Sequence, residues 1–189
     1  MNFQMLVNRK NPLKEDFVPN ELVITDQNEN NFHSYKDPNL KPMIHPVVFE
    51  QFQKMQKDAL KDNVNIIIDS GYRSYHYQKE VYEKISQEKG IEYAEQFVAL
   101  PGCSEHQTGL AVDFATIRNG KYSDDIKEND KESIWMKENA YRYGFILRYP
   151  KEKENITGYA FEPWHYRYVG IPLSQYLYQN NLTLEEYYD

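Results

Sequence analysis

The sequence predicts an α+β fold, with a small antiparallel sheet and helices packed on it. Helical patterns lead along the chain, and strand-like runs cluster later with hairpin-like spacing. The dipeptide Asn119-Gly120 is typical of a two-residue hairpin turn. The chain has 189 residues and lacks internal repeats and low-complexity linkers. We therefore expect residues 1–189 to form one domain that can bury a sizeable core.

Four prolines predict that the first 45 residues are mostly irregular, with short extended segments at 3–8 and 21–24. Residues 46–61 predict a helix, because Pro46 suits a first helical position and apolar side chains recur on one face.

The next elements have clear boundary signals. The β-branched run 65–68 predicts a buried strand. Residues 74–89 predict a second helix, which Ser74 caps and Gly90 ends. Residues 91–97 predict a shorter helix.

The second half of the chain supplies most of the strands. The apolar residues of 110–115 alternate along the run, which predicts a half-buried strand. The polar run 121–131 predicts a loop, and 131–143 a helix that ends at Gly144. The remaining predicted elements are strands at 145–148 and 164–169 and helices at 172–178 and 184–188.

Composition excludes several classes of protein. Acidic residues outnumber basic ones, 29 to 22, and the pI is about 5.3, which disfavours nucleic acid as a partner. One cysteine permits no intrachain disulfide. No stretch approaches a membrane span, and no secretory signal pattern precedes the first helix. We expect a cytoplasmic protein, or an extracytoplasmic one if the sequence is trimmed from a membrane-anchored protein.

The candidate metal-binding and catalytic residues lie in two segments, Ser104–Asp113 and Glu162–His165. Together they offer two imidazoles, a carboxylate and a spare glutamate. A catalytic zinc requires three such ligands, an open position for water and a nearby general base. Single His and Asp residues are more often solvated or satisfied within a core. However, Asp113 lies in an apolar strand pattern, where an unpaired charge would be costly. On the residues alone, both interpretations stay open.

Longer motifs extend this pattern along nearly the whole chain. They are Ser70-Gly71-Tyr72-Arg73-Ser74, the run 101–113, the run 143–150 and the run 162–170. In order and spacing they resemble the VanY/VanX family of zinc D,D-peptidases, and the run 96–106 resembles especially the VanXY type, which combines dipeptidase and carboxypeptidase activities. The wider family includes L,D-carboxypeptidases with a similar Glu-x-x-His block. The α+β architecture with a zinc site on the sheet agrees with this resemblance.

The resemblance implies one zinc ion per chain, bound by His106, Asp113 and His165. It implies Glu162 as the general base, which takes a proton from water and gives it to the leaving amine. Glu105 is the competing base candidate, although its motif position suggests a supporting role.

Several further residues stand at or beside motif positions. Arg73 is expected to meet either the terminal carboxylate of the substrate or the developing oxyanion. Gln78 and Ser104 are candidate contacts to the ends of the substrate. Arg148, Arg167 and the neighbouring tyrosines are expected to be scaffold, and Cys103 a small buried neighbour of the site rather than a nucleophile.

The implied function is zinc-dependent hydrolysis of C-terminal D-Ala-D-Ala bonds, in the free dipeptide, in a peptidoglycan precursor pentapeptide or in both, as in vancomycin resistance. One alternative is an L,D-carboxypeptidase that trims tetrapeptide stems. Another is a non-catalytic peptidoglycan-binding module, although the presence of Glu162 and all three ligands argues against it. Loops 121–130 and 151–157 are the expected rims of the site.

Overall fold

A computed structural model describes residues 2–25 and 41–189. Residues 26–40, which belong to the segment expected to be irregular, lie outside this description. The predicted α+β class is confirmed. Strands β1 (Val23–Ile24) and β2 (Met43–Ile44) form a short antiparallel pair.

Among the described residues, the main sheet has five strands, and all of its strand pairs are antiparallel. Its central strand, β4, is flanked on one side by β3 and on the other by β7 and then β6, while β5 pairs with the end of β4. The strands are β3 (Ile66–Ser70), β4 (Ala111–Arg118), β5 (Lys121–Ser123), β6 (Phe145–Leu147) and β7 (His165–Tyr168).

Seven α-helices surround the sheets in the described residues. They are α1 (Pro46–Lys61), α2 (Tyr75–Lys89), α3 (Ile91–Phe97), α4 (Lys131–Asn139), α5 (Glu154–Thr157), α6 (Ile171–Asn180) and α7 (Leu184–Tyr188). The predicted cap is confirmed at α2, where the Ser74 hydroxyl accepts from the amide of Tyr77. Among the helices described, none has the length and apolar character needed to cross a membrane.

Apolar side chains pack on both faces of the sheet. The larger core includes Phe52 and Met55 of α1 and Phe114 of β4, with the rings of Phe52 and Phe114 stacked 5.6 Å apart. Phe145 belongs to this core, whereas Ile146 packs with α6 and α7 in a second cluster. Successive residues of β6 therefore serve opposite faces, as the strand period requires.

Four predicted elements need correction. The predicted extended segment 3–8 forms no named strand, and the Phe3 and Met5 carbonyls accept hydrogen bonds from the Arg167 side chain. The predicted loop at 121–131 begins with β5, which the Asn119-Gly120 turn pairs with β4. The predicted helix at 131–143 ends at Asn139 and continues as a 3₁₀ turn. The expected rim at 151–157 is helical.

Candidate metal centre and active site

Adjacent strands bring two of the expected ligands side by side. Asp113 of β4 and His165 of β7 are register partners, so their side chains share one face of the sheet. Nδ1 of His165 lies 2.9 Å from Oδ1 of Asp113. The pairing of β4 with β7 therefore places these two residues together, although 52 positions separate them in the chain.

The third expected ligand, His106, enters from a 3₁₀ turn that precedes β4. The turn ends at Gly109, whose φ of 70° is the left-handed conformation that glycine tolerates best. A Cβ at this position would also lie 2.8 Å from Leu22 Cδ2. An odd spacing along a straight strand would place His106 and Asp113 on opposite faces. Because the chain reverses at Gly109, Nε2 of His106 instead lies 3.3 Å from Oδ1 of Asp113.

A backbone carbonyl sets the orientation of His106. Nδ1 of His106 lies 2.6 Å from the carbonyl oxygen of Gly71, which can only accept a hydrogen bond. Nδ1 therefore carries the proton, and Nε2 keeps its lone pair toward Asp113. This Nε2 is buried and has no hydrogen-bond partner among the described residues. A partner on one nitrogen of the ring and a lone pair on the other is the usual arrangement of a metal-binding histidine.

The three side chains fit a zinc ion. Each offers one nitrogen or oxygen atom, these atoms lie within 4.8 Å of one another, and all three residues are buried. Two imidazoles and one carboxylate are a ligand set that leaves a coordination position open, as catalytic zinc sites do.

Burial and neighbouring charges shift the pKa values of all three expected ligands. Burial, with the nearby Arg73 guanidinium, lowers the pKa of His106 to about 4, which keeps the ring neutral. Burial also disfavours charge on His165, but the carboxylates of Asp113, Glu105 and Glu162 outweigh it and raise the pKa of this ring to about 9. Asp113 remains ionised, because the two imidazoles hold its pKa well below the ordinary value despite its burial.

Glu162 is held close to His165 by a tight turn. The amide of His165 donates to the carbonyl of Glu162, and the amide of Glu162 donates to the carbonyl of Tyr149. The carboxylate is buried, and its Oε2 lies 3.8 Å from Nδ1 of His165. A carboxylate on this short and fixed link is positioned to exchange a proton with a group at the metal centre.

Arg73 lies at the same centre. Its NH2 group lies 3.1 Å from Oδ2 of Asp113, and its NH1 group donates to Oε1 of Gln78. Its Nε is buried without a partner among the described residues. A buried donor without an acceptor is costly, so a substrate oxygen could stabilise the site by accepting from it.

The two expected substrate contacts are placed differently. Gln78 is almost wholly buried, and its amide joins Arg73 to the carbonyl of Ala99. Gln78 thus lies behind Arg73 and supports it. Ser104 is buried at the start of the 3₁₀ turn, where its carbonyl accepts from the amide of Gln107. Burial raises the pKa of the Cys103 thiol, which disfavours the thiolate that a nucleophile or a metal ligand requires.

Two residues of the site lie within the quoted motifs, but the sequence analysis assigned them no role. The ring of Tyr149 packs against that of His165, with centroids 4.9 Å apart. The carbonyl that orients His106 belongs to Gly71, where a Cβ would clash with the Met43 carbonyl oxygen. The motif around Arg73 contains this glycine, but only the fold reveals the close approach.

Comparison with known proteins gives concordant matches. The family profile described as VanY, D-alanyl-D-alanine carboxypeptidase, matches residues 41–171. The bifunctional D-Ala-D-Ala dipeptidase and D-Ala-D-Ala carboxypeptidase VanXYC of Enterococcus gallinarum is 36% identical over 195 residues, covering 100% of this chain and 95% of the relative.

Two solved structures have the same fold. The LdcB LD-carboxypeptidase superposes with a TM-score of 0.86 and 40% identity, covering 99% of this chain and 86% of that one. A mutant of the D,D-pentapeptidase VanY from a VanB-type resistance cassette, in complex with Zn(II), gives a TM-score of 0.83 and 34% identity, with 100% of each chain covered.

Proposed function

The chain belongs to the VanY family of D-alanyl-D-alanine carboxypeptidases and is a zinc metallopeptidase, and we propose that it hydrolyses the bond between two C-terminal D-alanines. The observation that carries this proposal is the convergence of Glu162 and Arg73 on the buried group His106, Asp113 and His165. We further propose that residues 1–189 act as one domain, since Asn8 and Glu185, near the two ends, are hydrogen-bonded to each other.

We propose His106, Asp113 and His165 as the zinc ligands. A zinc ion held there would polarise the scissile carbonyl and lower the pKa of a water molecule. A side chain of the protein would carry out the proton transfer. Glu162 would accept a proton from the attacking water at its carboxylate and pass it to the nitrogen of the departing D-alanine. The turn from Glu162 to His165 keeps this carboxylate in place during both transfers.

Arg73 would stabilise the charge that develops on the carbonyl oxygen. It is anchored by Asp113 and Gln78, while its Nε–H has no partner in the described structure. A fixed donor that gains its acceptor only as charge develops lowers the barrier rather than merely improving substrate binding. Gln78 is therefore proposed to act on the substrate through Arg73, and Ser104 to contribute a polar contact at the end of the substrate.

The proposed substrates are the free dipeptide D-Ala-D-Ala and peptidoglycan precursors that end in it. The similarity to VanXYC, whose name includes both activities, supports this choice. Removing such precursors before they reach the wall would serve vancomycin resistance, and it would require the protein to act in the cytoplasm. The similarity to LdcB favours a second candidate, an L,D-carboxypeptidase that trims tetrapeptide stems.

A product survey separates these candidates. Zinc-loaded protein is incubated with D-Ala-D-Ala, a pentapeptide ending in D-Ala-D-Ala, its D-Ser-ended variant and a tetrapeptide with a C-terminal L,D bond, and released amino acids are quantified. We expect release of D-alanine from the dipeptide, the pentapeptide or both. Release from the tetrapeptide alone would establish the second candidate, and release from none would indicate a binding module. Glu162→Gln protein serves as the catalytic blank.

A further inference from the structure

Glu105 occupies an unusual electrostatic position beside the metal centre. Its carboxylate is completely enclosed, and its Oε1 accepts from both Nε of Arg148 and NH1 of Arg167, each at 2.8 Å. Its other oxygen, Oε2, is buried and has no hydrogen-bond partner among the described residues. One carboxylate oxygen thus binds two guanidinium groups, and the other oxygen can still accept a hydrogen bond.

The group that faces this oxygen is a ligand candidate. Nε2 of His165 lies 3.8 Å from Oε2 of Glu105, and it too is buried without a partner in the described residues. The other nitrogen of the same ring, Nδ1, faces Asp113 and Glu162. An unpaired donor therefore faces an unpaired acceptor, and an approach of about 1 Å would form a charge-assisted hydrogen bond.

We propose that Glu105 is a positioning residue for the zinc site, which accepts the Nε2–H of His165 and so leaves Nδ1 of that ring as the ligand atom. Metal-binding histidines commonly hold the second ring nitrogen on a carboxylate or carbonyl, which sets the tautomer and the ring orientation. His106 has the Gly71 carbonyl for this purpose, and Glu105 fills the same role for His165. This inference rests on the metal site of the proposed function.

The arginine pair gives Glu105 its fixed position. Arg148 and Arg167 are buried, and Arg148 also binds the carboxylate of Glu185 in α7 with two hydrogen bonds. Arg167 donates to backbone carbonyls near the start of the chain. A buried ion network of this kind contributes little net stability compared with apolar packing. Its function here is to fix the position of the Glu105 carboxylate, which orients His165, through contacts to both ends of the chain.

This geometry also separates Glu105 from the base role. Glu105 faces the ring nitrogen that points away from Asp113, whereas Glu162 faces the nitrogen directed at the metal centre. The two glutamates therefore contact opposite sides of the same imidazole. Glu105 touches a ligand, and Glu162 is directed toward the reacting groups.

The test compares Glu105→Gln with Glu132→Gln. Glu132 of α4 is an equally buried glutamate in an ion pair with Arg118, but its carboxylate bonds to Thr116 and Arg118 at the other end of β4 and to none of the expected ligands in the described structure. Zinc affinity is measured by chelator competition, and Co²⁺-loaded proteins are compared by visible absorption. We expect Glu105→Gln to weaken zinc binding about 10- to 100-fold and to change the cobalt spectrum, with Glu132→Gln close to wild type in both. Equal affinity in folded Glu105→Gln and wild type would overturn the assignment.

A measurement on the wild-type protein keeps the assignment testable if Glu105→Gln does not fold. Nitrogen-15 NMR of the zinc-loaded protein reports which nitrogen of His165 carries the proton. We expect a protected Nε2–H and a metal-bound Nδ1, and the reverse tautomer would overturn the assignment. Neither measurement uses a substrate. Failure to cleave any peptide would therefore count against the proposed function alone, whereas a wild-type protein without zinc affinity would overturn both.

Discussion

A buried glutamate in an arginine network lies beside each end of strand β4, Glu105 in the preceding 3₁₀ turn and Glu132 in α4, but the two networks differ in how many carboxylate oxygens are hydrogen-bonded. At the distal end, defined by Thr116, Arg118 and Glu132, both carboxylate oxygens of Glu132 are bonded. At the metal end, defined by Asp113, His165 and Glu105, one carboxylate oxygen of Glu105 has no hydrogen-bond partner among the described residues and faces a ligand candidate. A buried carboxylate with both oxygens bonded is explained by its structural role, whereas a buried oxygen directed at a ligand without a hydrogen bond requires a further explanation.

The comparison also extends to the arginines. The Arg118 side chain is 36% exposed, so water screens its ion pairs with Asp130 and Glu132. Arg148 and Arg167 have fully buried side chains, where an unpaired charge would be very costly. Substitutions at the distal end should therefore change the free energy of unfolding, and substitutions at the metal end should change zinc binding and catalysis.

The largest effect is expected from His165→Ala. Without one of three ligands, the protein should retain little zinc and no measurable peptidase activity. Elemental analysis of the purified protein gives the zinc content, which we expect to be about one ion per wild-type chain. His76→Ala is the control, because this histidine is exposed and its Nε2 lies 3.5 Å from the carboxylate of the exposed Glu15. Equal zinc content in all three proteins would remove His165 from the site.

The next effect in size is expected from Glu162→Gln. The amide is nearly isosteric with the carboxylate but cannot take up the proton, so kcat should fall by about 10²–10⁴ while zinc content and fold are retained. Steady-state kinetics on the preferred substrate measure the loss. Glu152→Gln on the surface should have wild-type kcat. If Glu162→Gln also kept near-normal kcat, another residue would have to be the base.

Arg73→Ala should have a smaller effect on catalysis than Glu162→Gln. If the guanidinium meets the oxyanion, kcat and kcat/KM should fall together, by roughly 10²- to 10³-fold. The informative substrates are D-Ala-D-Ala and its C-terminal amide. An oxyanion role predicts an equal loss on both, whereas a carboxylate role predicts that wild type already disfavours the amide and that the substitution adds little for it. Arg118→Ala at the distal end is the matched control. A change of less than about twofold on every substrate would place Arg73 outside the catalytic machinery.

The smallest effect on activity is expected from Glu132→Gln. This substitution weakens the ion pair with Arg118, so we expect a loss of roughly 1–3 kcal/mol in the free energy of unfolding, moderated by the exposure of Arg118. Urea denaturation measures the stability, and peptide hydrolysis below the unfolding range should match wild type. A large loss of kcat in folded Glu132→Gln would show that the two ends of β4 are not functionally separate.

Local signals in the sequence were sufficient for most helices. The observed bounds of α1, α3 and α7 coincide with the predicted ones, because proline, glycine and cap residues mark helix ends within a few positions. The strand β5 was missed, since its three polar residues are strand only through pairing with β4. The 3₁₀ turn at Glu105–Thr108 was missed as well, because short turns of this kind depend on their surroundings.

By itself, the sequence determined the α+β class, the family and the candidate ligand, base and arginine residues, because these follow from local periodicity and from motifs that are contiguous in the chain. The tertiary structure decided the relations between distant segments. It paired Asp113 with His165, placed the Gly71 carbonyl on His106, and turned Glu105 toward the far nitrogen of His165. These relations depend on strand register and buried hydrogen bonds, which link residues tens of positions apart and have no signature in either segment alone.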